Sequence, residues 1–249
     1  MVFDRVIAVR NDKTVYRDGN RCLKVFHRDY TKEQIIGEAL NHAKIEMIGL
    51  QVPQLLEFTS VEDQWAIVFE YIKGKTLEEY LVSEPEQKKK WMRYLCEIQR
   101  SFHEKTNSLL QPLHDMLTGK IKQAHLDLDL RDKILDKLGR LPKDCRVCHG
   151  DFEPSNIIVT PEGSAYILDW SRAAVGNPWA DNAVSYLSMI LEGKEDWAQL
   201  YLETFTENSP EDYEHIRAWL PVIAASLYTD ARQYEREVLQ LWIQEKNTI

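Results

Sequence analysis

From His149 to Trp170 the chain reads His149-Gly150-Asp151-Phe152-Glu153-Pro154-Ser155-Asn156-Ile157-Ile158-Val159, then a Pro161-Glu162-Gly163 turn, then Tyr166-Ile167-Leu168-Asp169-Trp170. The two apolar runs, Asn156 to Val159 and Ala165 to Leu168, are short, rich in β-branched residues and separated by turn formers. They predict a β-hairpin. Asp151 and Asn156 lie before the hairpin and Asp169 at its far end, so three oxygen-bearing side chains are expected to emerge on one side of a rigid element. A loop Asp, a hairpin or a helix-capping Asp is commonplace alone, but the ordered set at this spacing is not.

The residue types suggest a chemistry. Hard divalent cations demand oxygen ligands, which Asn156 and Asp169 can supply. Asp151 can accept the proton of a hydroxyl, or orient it, within hydrogen-bond reach. Transfer of a nucleotide's terminal phosphoryl group requires such an assembly, with Mg²⁺ against the phosphate oxygens and an acceptor aimed in line.

The pattern His-Gly-Asp-x-x-x-x-Asn, followed by Ile-Leu-Asp-Trp and then Gly176-Asn177-Pro178-Trp179-Ala180-Asp181, resembles the aminoglycoside phosphotransferase and choline kinase superfamily. These are small-molecule relatives of the protein kinases. His149-Gly150-Asp151 stands where a protein kinase has His-Arg-Asp, and Asp169-Trp170-Ser171 where it has Asp-Phe-Gly. The resemblance covers nearly the whole chain and is strongest from Cys148 to Asp181. It implies an α+β, two-lobed, protein-kinase-like fold. An antiparallel sheet with one helix is expected over residues 1–72 as the nucleotide-binding lobe. A mostly helical catalytic and acceptor-binding lobe over 73–249 completes a single kinase-like domain. It also implies ATP or GTP and Mg²⁺ as cofactors, with Asp151 catalytic and Asn156 and Asp169 on the metal.

The front half fits that expectation. Phe3 to Arg10, Thr14 to Arg17 and Arg21 to His27 read as strands, with Asp18-Gly19-Asn20 turning between the last two. In the third, alternation sends Leu23 and Val25 to one face and Cys22, Lys24 and Phe26 to the other. Lys24 reads alone as an exposed strand lysine; its place before the next helix resembles that of the kinase lysine on the α and β phosphates. Thr31-Lys32-Glu33-Gln34 is a capping box that opens a helix ending near Gly49. Its expected buried stripe is Ile36, Leu40, Ala43 and Met47. The family places on this helix a Glu that pairs with the lysine. Glu38 suits this better than Glu33 by its distance from Val52-Pro53, although it falls roughly opposite that stripe. Gln54 to Ser60 and Trp65 to Ile72 read as two further strands. Glu70-Tyr71-Ile72-Lys73-Gly74 resembles the hinge between lobes, whose main chain at Glu70 and Ile72 would meet a nucleobase. Val9 to Thr14 lacks the glycines with which protein kinases cover the phosphates.

After the hinge, Glu84 to Glu104, Leu109 to Gln123, Leu128 to Leu138, Asn182 to Leu191, Glu195 to Thr206, Glu211 to Leu227 and Asp230 to Gln244 carry apolar residues at helical spacing. A sheet first and helices afterwards argues for an α+β chain with segregated lobes.

A formal net charge of −9 gives no electrostatic footprint for nucleic acid. Lys88-Lys89-Lys90 reads as a solvated helix face. Met1 to Arg5 lacks the apolar core of a signal peptide and no stretch is long enough to span a bilayer, so the expectation is a cytoplasmic protein with no membrane partner. Cys145-Arg146-Val147-Cys148-His149 matches the c-type haem pattern and half of a zinc site, without the further ligands either would need; reduced thiols are expected. Only eleven residues separate Asp169 from Asp181, too few for the segment with which protein kinases hold peptides, so a small hydroxylated acceptor is favoured. The acids and aromatics of the later helices, Glu203, Glu207 and Glu211 among them, suit a wall for a cationic acceptor and equally a solvated surface. The rival readings are an atypical protein kinase and a catalytically silent pseudokinase that serves as a binding module.

Overall fold

The structure is a computed structural model that describes residues 4–9 and 13–246. The ends of the first expected strand, Phe3 and Arg10, and the Arg10-Asn11-Asp12 stretch of the glycine-less segment lie outside the described residues.

In chain order the elements are β1 (Arg5–Val9), β2 (Lys13–Asp18), β3 (Arg21–Phe26), α1 (Lys32–Glu46), β4 (Leu55–Val61), β5 (Gln64–Glu70), β6 (Lys75–Thr76), α2 (Leu77–Ser83), α3 (Lys88–His103), β7 (Gln111–Pro112), α4 (Leu113–Gln123), α5 (Leu128–Arg140), β8 (Arg146–Cys148), β9 (Ile157–Val159), β10 (Ala165–Ile167), β11 (Ala174–Gly176), α6 (Pro178–Leu191), α7 (Glu195–Thr206), α8 (Glu211–Leu227) and α9 (Gln233–Ile243). They form two compact units. The first runs up to Val82 and takes in Pro154–Arg172; the second comprises Ser83–Glu153 and the chain from Ala173 onward. The 9–10 hairpin, which the sequence grouped with residues 73–249, thus belongs with the first unit.

The first unit holds a five-stranded antiparallel sheet in the order β1-β2-β3-β5-β4. Two tight turns set its register. Gly19, at φ 58°, closes β2 on β3, pairing Asp18 with Arg21 and, further along, Lys13 with Phe26. Glu62 and Asp63, both at positive φ, close β4 on β5, the backbone of a two-residue hairpin turn matched to the strand twist. Leu23 and Val25 pack with Val61, Ala66 and Val68 on one face of the sheet. Phe26 and Ile67 pack with Ile35 and Ala39 of α1 on the other. Lys24 therefore lies on the helix-covered face, as the alternation predicts.

The capping box of α1 forms: Thr31 Oγ1 accepts from Gln34 N, and Gln34 Oε1 accepts from Thr31 N. The expected buried stripe does not. Ile36, Leu40 and Met47 are 43%, 53% and 75% exposed, whereas Ile35, Ala39, His42 and Ile45 are buried. The buried face is one residue out of phase with the apolar stripe, because a small Ala and a hydrogen-bonded His fill it where a hydropathy pattern looks for large aliphatics. His42 Nε2 donates to Pro53 O at 2.7 Å, which satisfies its polar edge inside the core. The shift removes the conflict over Glu38, which at three residues after Ile35 and four before His42 shares the buried face.

The 9–10 hairpin forms as predicted, with Tyr166 opposite Ile158, and β6 pairs with its outer edge. Gly74 is needed at that junction: a Cβ there would lie 2.4 Å from Val159 O.

The second unit is helical around a small sheet in which β11 lies between β7, parallel, and β8, antiparallel. That sheet and a helix cap explain two displaced helix starts. The helix expected from Leu109 begins at Leu113 because Gln111 and Pro112 pair with β11. The helix expected from Asn182 begins four residues earlier, at Pro178, where Asn177 Oδ1 accepts from Trp179 N and Pro occupies the first helical position. The helix expected from Glu84 starts at Lys88 after a 3-10 turn over Pro85–Gln87, and that expected from Asp230 starts at Gln233. Among the described residues no helix is long and apolar enough to cross a membrane.

Candidate active site

Within the first unit a cleft of about 560 Å³ is lined from β2, β3, α1, the 70–76 segment and the base of the 9–10 hairpin, a volume in the range of cofactor sites. Six of the predicted residues line it: Lys24, Glu38, Glu70, Ile72, Asn156 and Asp169. The hairpin brings two of them to one end, where Leu168 N donates to Asn156 O at 2.8 Å and ties the strand that leaves Asn156 to the strand that delivers Asp169. Asp169 sits at φ 58°. Asp tolerates that left-handed conformation better than most residues, and backbone held there marks positions where geometry matters more than local stability.

The charges form one cluster. The Lys24 ammonium donates to Glu38 Oε1 and lies 3.0 Å from Asp169 Oδ1, while the Lys13 ammonium donates to Asp169 Oδ2 at 2.9 Å. Burial pulls the Lys24 pKa down, but Asp169 and Glu38 outweigh it and keep the ammonium charged. Burial likewise opposes ionisation of Asp169; the charges of Lys24 and Lys13 and the hydrogen bond from Lys13 hold it well below the usual carboxylate range. Glu38 has only a share of Lys24 and has Asp169 as a like-charged neighbour, so burial leaves its carboxyl raised. Cys22, also on the wall, is pushed up to about 11 by burial and stays a thiol.

The donor set suits a hard cation. Asp169 Oδ1 is buried and, although close to Lys24, has no aligned hydrogen-bond donor among the described residues. It retains lone-pair capacity in the cleft that Asn156 also lines, and carboxylate and amide oxygens are the ligand types that Mg²⁺ takes. At the hinge, Glu70 N donates to Gln54 O and Tyr71 N to Asn20 O, each at 2.9 Å. Neither of these amides is a donor that a nucleobase would meet.

Asp151 stands in the second unit, on a loop that other residues of that unit support. Gly150, at φ 77°, turns its N–H onto Asp181 Oδ1 at 2.7 Å. Asp181 Oδ2 accepts from His103 Nε2 at 2.9 Å and more loosely from Gln99 Nε2 at 3.4 Å. Burial would raise the Asp181 pKa; the hydrogen bond and charge of His103 and the Gly150 N–H lower it on balance. Tyr201 OH donates to Gln99 Oε1 at 2.6 Å and accepts from Asn182 Nδ2 at 2.7 Å, extending the buried network through α3, α6 and α7. Asp151 N donates to His149 Nδ1 at 3.2 Å, so that nitrogen acts as an acceptor. Of the acids weighed for a cationic acceptor, Glu203 accepts from Gln199 and Glu207 pairs with Arg93 at 3.1 Å.

Sequence reasoning passed over Lys13, His42, His103 and the anchoring role of Asp181. Lys13 was within reach: counting back from the Gly19-Asn20 turn pairs it with Phe26, on the face that carries Lys24.

The sequence matches the phosphotransferase enzyme family over residues 6–219. No curated protein matches it. Among solved structures it is similar to an aminoglycoside-3'-phosphotransferase of type VIII, 19% identical over 88% of this chain and 93% of that one, with a TM-score of 0.63. A thermostable mutant of aminoglycoside phosphotransferase APH(4)-Ia, in ternary complex with AMP-PNP and hygromycin B, is 14% identical over 97% and 91%, with a TM-score of 0.72. The choline kinase LicA from Streptococcus pneumoniae is 17% identical over 98% and 92%, with a TM-score of 0.64. The fold is protein-kinase-like.

Proposed function

Because the chain belongs to the phosphotransferase enzyme family, we propose that it is a small-molecule kinase that moves the γ-phosphate of ATP, with Mg²⁺, to a hydroxyl of a small acceptor. One observation carries the reading. Lys24, Glu38, Asn156 and Asp169, far apart in sequence, line a single nucleotide-sized cleft in which two ammonium groups bracket one carboxylate. The neighbour that holds AMP-PNP and hygromycin B supports a nucleotide donor and a hydroxylated acceptor.

Each residue then has a task that its surroundings suit. Lys24, kept charged by two carboxylates, binds the α and β phosphates. Glu38 holds the lysine stem in place. The main chain at Glu70 and Ile72 receives the base. Asn156 and Asp169 would hold Mg²⁺, which when bound screens the charge of the phosphate oxygens. Asp151 accepts the proton of the acceptor hydroxyl or orients it, on a loop that Gly150 and Asp181 hold in shape. The acceptor is a hydroxylated small molecule, with a cationic amino alcohol or aminoglycoside favoured over an anionic one by the net charge of −9.

The test is a panel of aminoglycosides, amino alcohols including choline, neutral sugars and a generic peptide, incubated with ATP and Mg²⁺. Acceptor-dependent ADP release with a phosphate-mass gain on a small molecule is the expected result. Transfer to the peptide alone would replace this reading with a protein kinase, and ATP binding without transfer to any acceptor would replace it with a pseudokinase.

A further inference from the structure

Lys13 has no part in the scheme above, yet it is built into the same cleft. The register pairs Lys13 with Phe26 and Val15 with Lys24, so the two lysines are diagonal neighbours on one face of the β2–β3 ribbon. Their ammonium groups take the two oxygens of one carboxylate, Lys13 on Asp169 Oδ2 at 2.9 Å and Lys24 beside Oδ1 at 3.0 Å. The Lys13 side chain is only 14% exposed. It lies within the glycine-less 9–14 segment and begins the strand that leaves it.

We propose that Lys13 is a second phosphate-binding cation of the nucleotide site, doing with a side-chain ammonium what a glycine-rich loop does with backbone N–H groups. The inference rests on the nucleotide-kinase reading and adds a residue to it. Two arguments support it. Lys13 lines the same cleft as Lys24, Asn156 and Asp169, and a cation that draws on Asp169 weakens that carboxylate's hold on the Lys13 ammonium. A phosphate chain in the cleft would bring negative charge to that ammonium, which a largely buried cation favours. Moreover, a lysine is a point charge on a flexible four-carbon stem. From the start of β2 it can turn from the carboxylate to a phosphate oxygen by side-chain rotation alone.

The test compares ATP and adenosine binding by titration calorimetry, with and without Mg²⁺, for the wild type, Lys13→Met, Lys13→Gln and Lys13→Arg, each checked by thermal melting. Loss of a charge-assisted contact should weaken ATP binding about tenfold to a hundredfold in Lys13→Met and Lys13→Gln. Adenosine affinity should not move, and Lys13→Arg should retain most of the ATP affinity. The Gln variant, which keeps a polar group for Asp169, decides the matter if the Met variant melts early. Unchanged ATP affinity, or a parallel loss for ATP and adenosine, overturns the inference while leaving the kinase reading intact. Failure of the wild type to bind ATP overturns the reading and the inference together.

Discussion

Two carboxylates, the half-buried Asp169 and the buried Asp181, are both held ionised, but by different means. Asp169 is held down by two lysines in an open cleft, with one oxygen lacking an aligned donor. Asp181 is held down by His103 and a backbone N–H in a closed core, with both oxygens hydrogen-bonded. A satisfied polar network rigidifies what it touches. An under-satisfied one beside a cavity has capacity left for a ligand. The same residue type thus makes scaffold in one unit and, in the proposed function, binding site in the other, and the hydrogen-bond accounting tells them apart.

If that contrast is right, the largest effect on stability belongs to Asp181. Asp181→Asn removes the anion opposite His103 and should cost about 3 kcal/mol of stability, the scale for breaking a buried pair, measured by denaturant titration. Because the folded pKa of Asp181 is depressed, its contribution is present above the ordinary carboxylate pKa of about 4 and is lost as pH falls below it. The variant should therefore lose less stability than the wild type as pH drops from about 5 to 2. An acid limb as steep as the wild type's would break the scaffold half of the comparison.

The next effect sharpens what the scaffold is for. Asp151→Asn should lower turnover roughly 100-fold or more, the usual scale for a general base, and leave the ATP dissociation constant nearly unchanged. Steady-state kinetics beside equilibrium binding would show it. Turnover within a few-fold of wild type would remove Asp151 from the chemistry.

A smaller effect concerns the rim of the cleft. Gly74 borders it, and an added methyl would meet Val159 O at 2.4 Å and Ile158 Cγ2 at 2.6 Å. Since backbone is one of the partners, Gly74→Ala should cost about 1–3 kcal/mol, seen as a lower melting temperature. Gly37→Ala, with open space around it inside α1, should be neutral or stabilising.

Much of this site was legible because it lies on local patterns. The 9–10 hairpin follows from two apolar runs and a Pro-Glu-Gly turn, and the face of Lys24 follows from alternation. Helix α1 was legible at its start, where Thr31 and Gln34 cap it, but not in its phase. Its inner face is filled by Ala39, His42 and Glu38, which a hydropathy pattern reads as solvent-facing, while Ile36, Leu40 and Met47 point outward. The early start of α6 and the late start of α4 depend on a cap and on strand pairing with β11, a partner remote in sequence. The network beneath Gly150 was hidden for the same reason, since Gln99, His103, Asp181 and Tyr201 meet only when α3, α6 and α7 pack.

The measurement that bears most directly on the central claim is the Mg²⁺ dependence of ATP binding in the wild type and in Asp169→Asn. A carboxylate that serves as a metal ligand makes ATP affinity rise with Mg²⁺, and its amide forfeits that gain. The account predicts tighter ATP binding with Mg²⁺ in the wild type and little or no Mg²⁺ gain in the variant; an equal gain in both would contradict it.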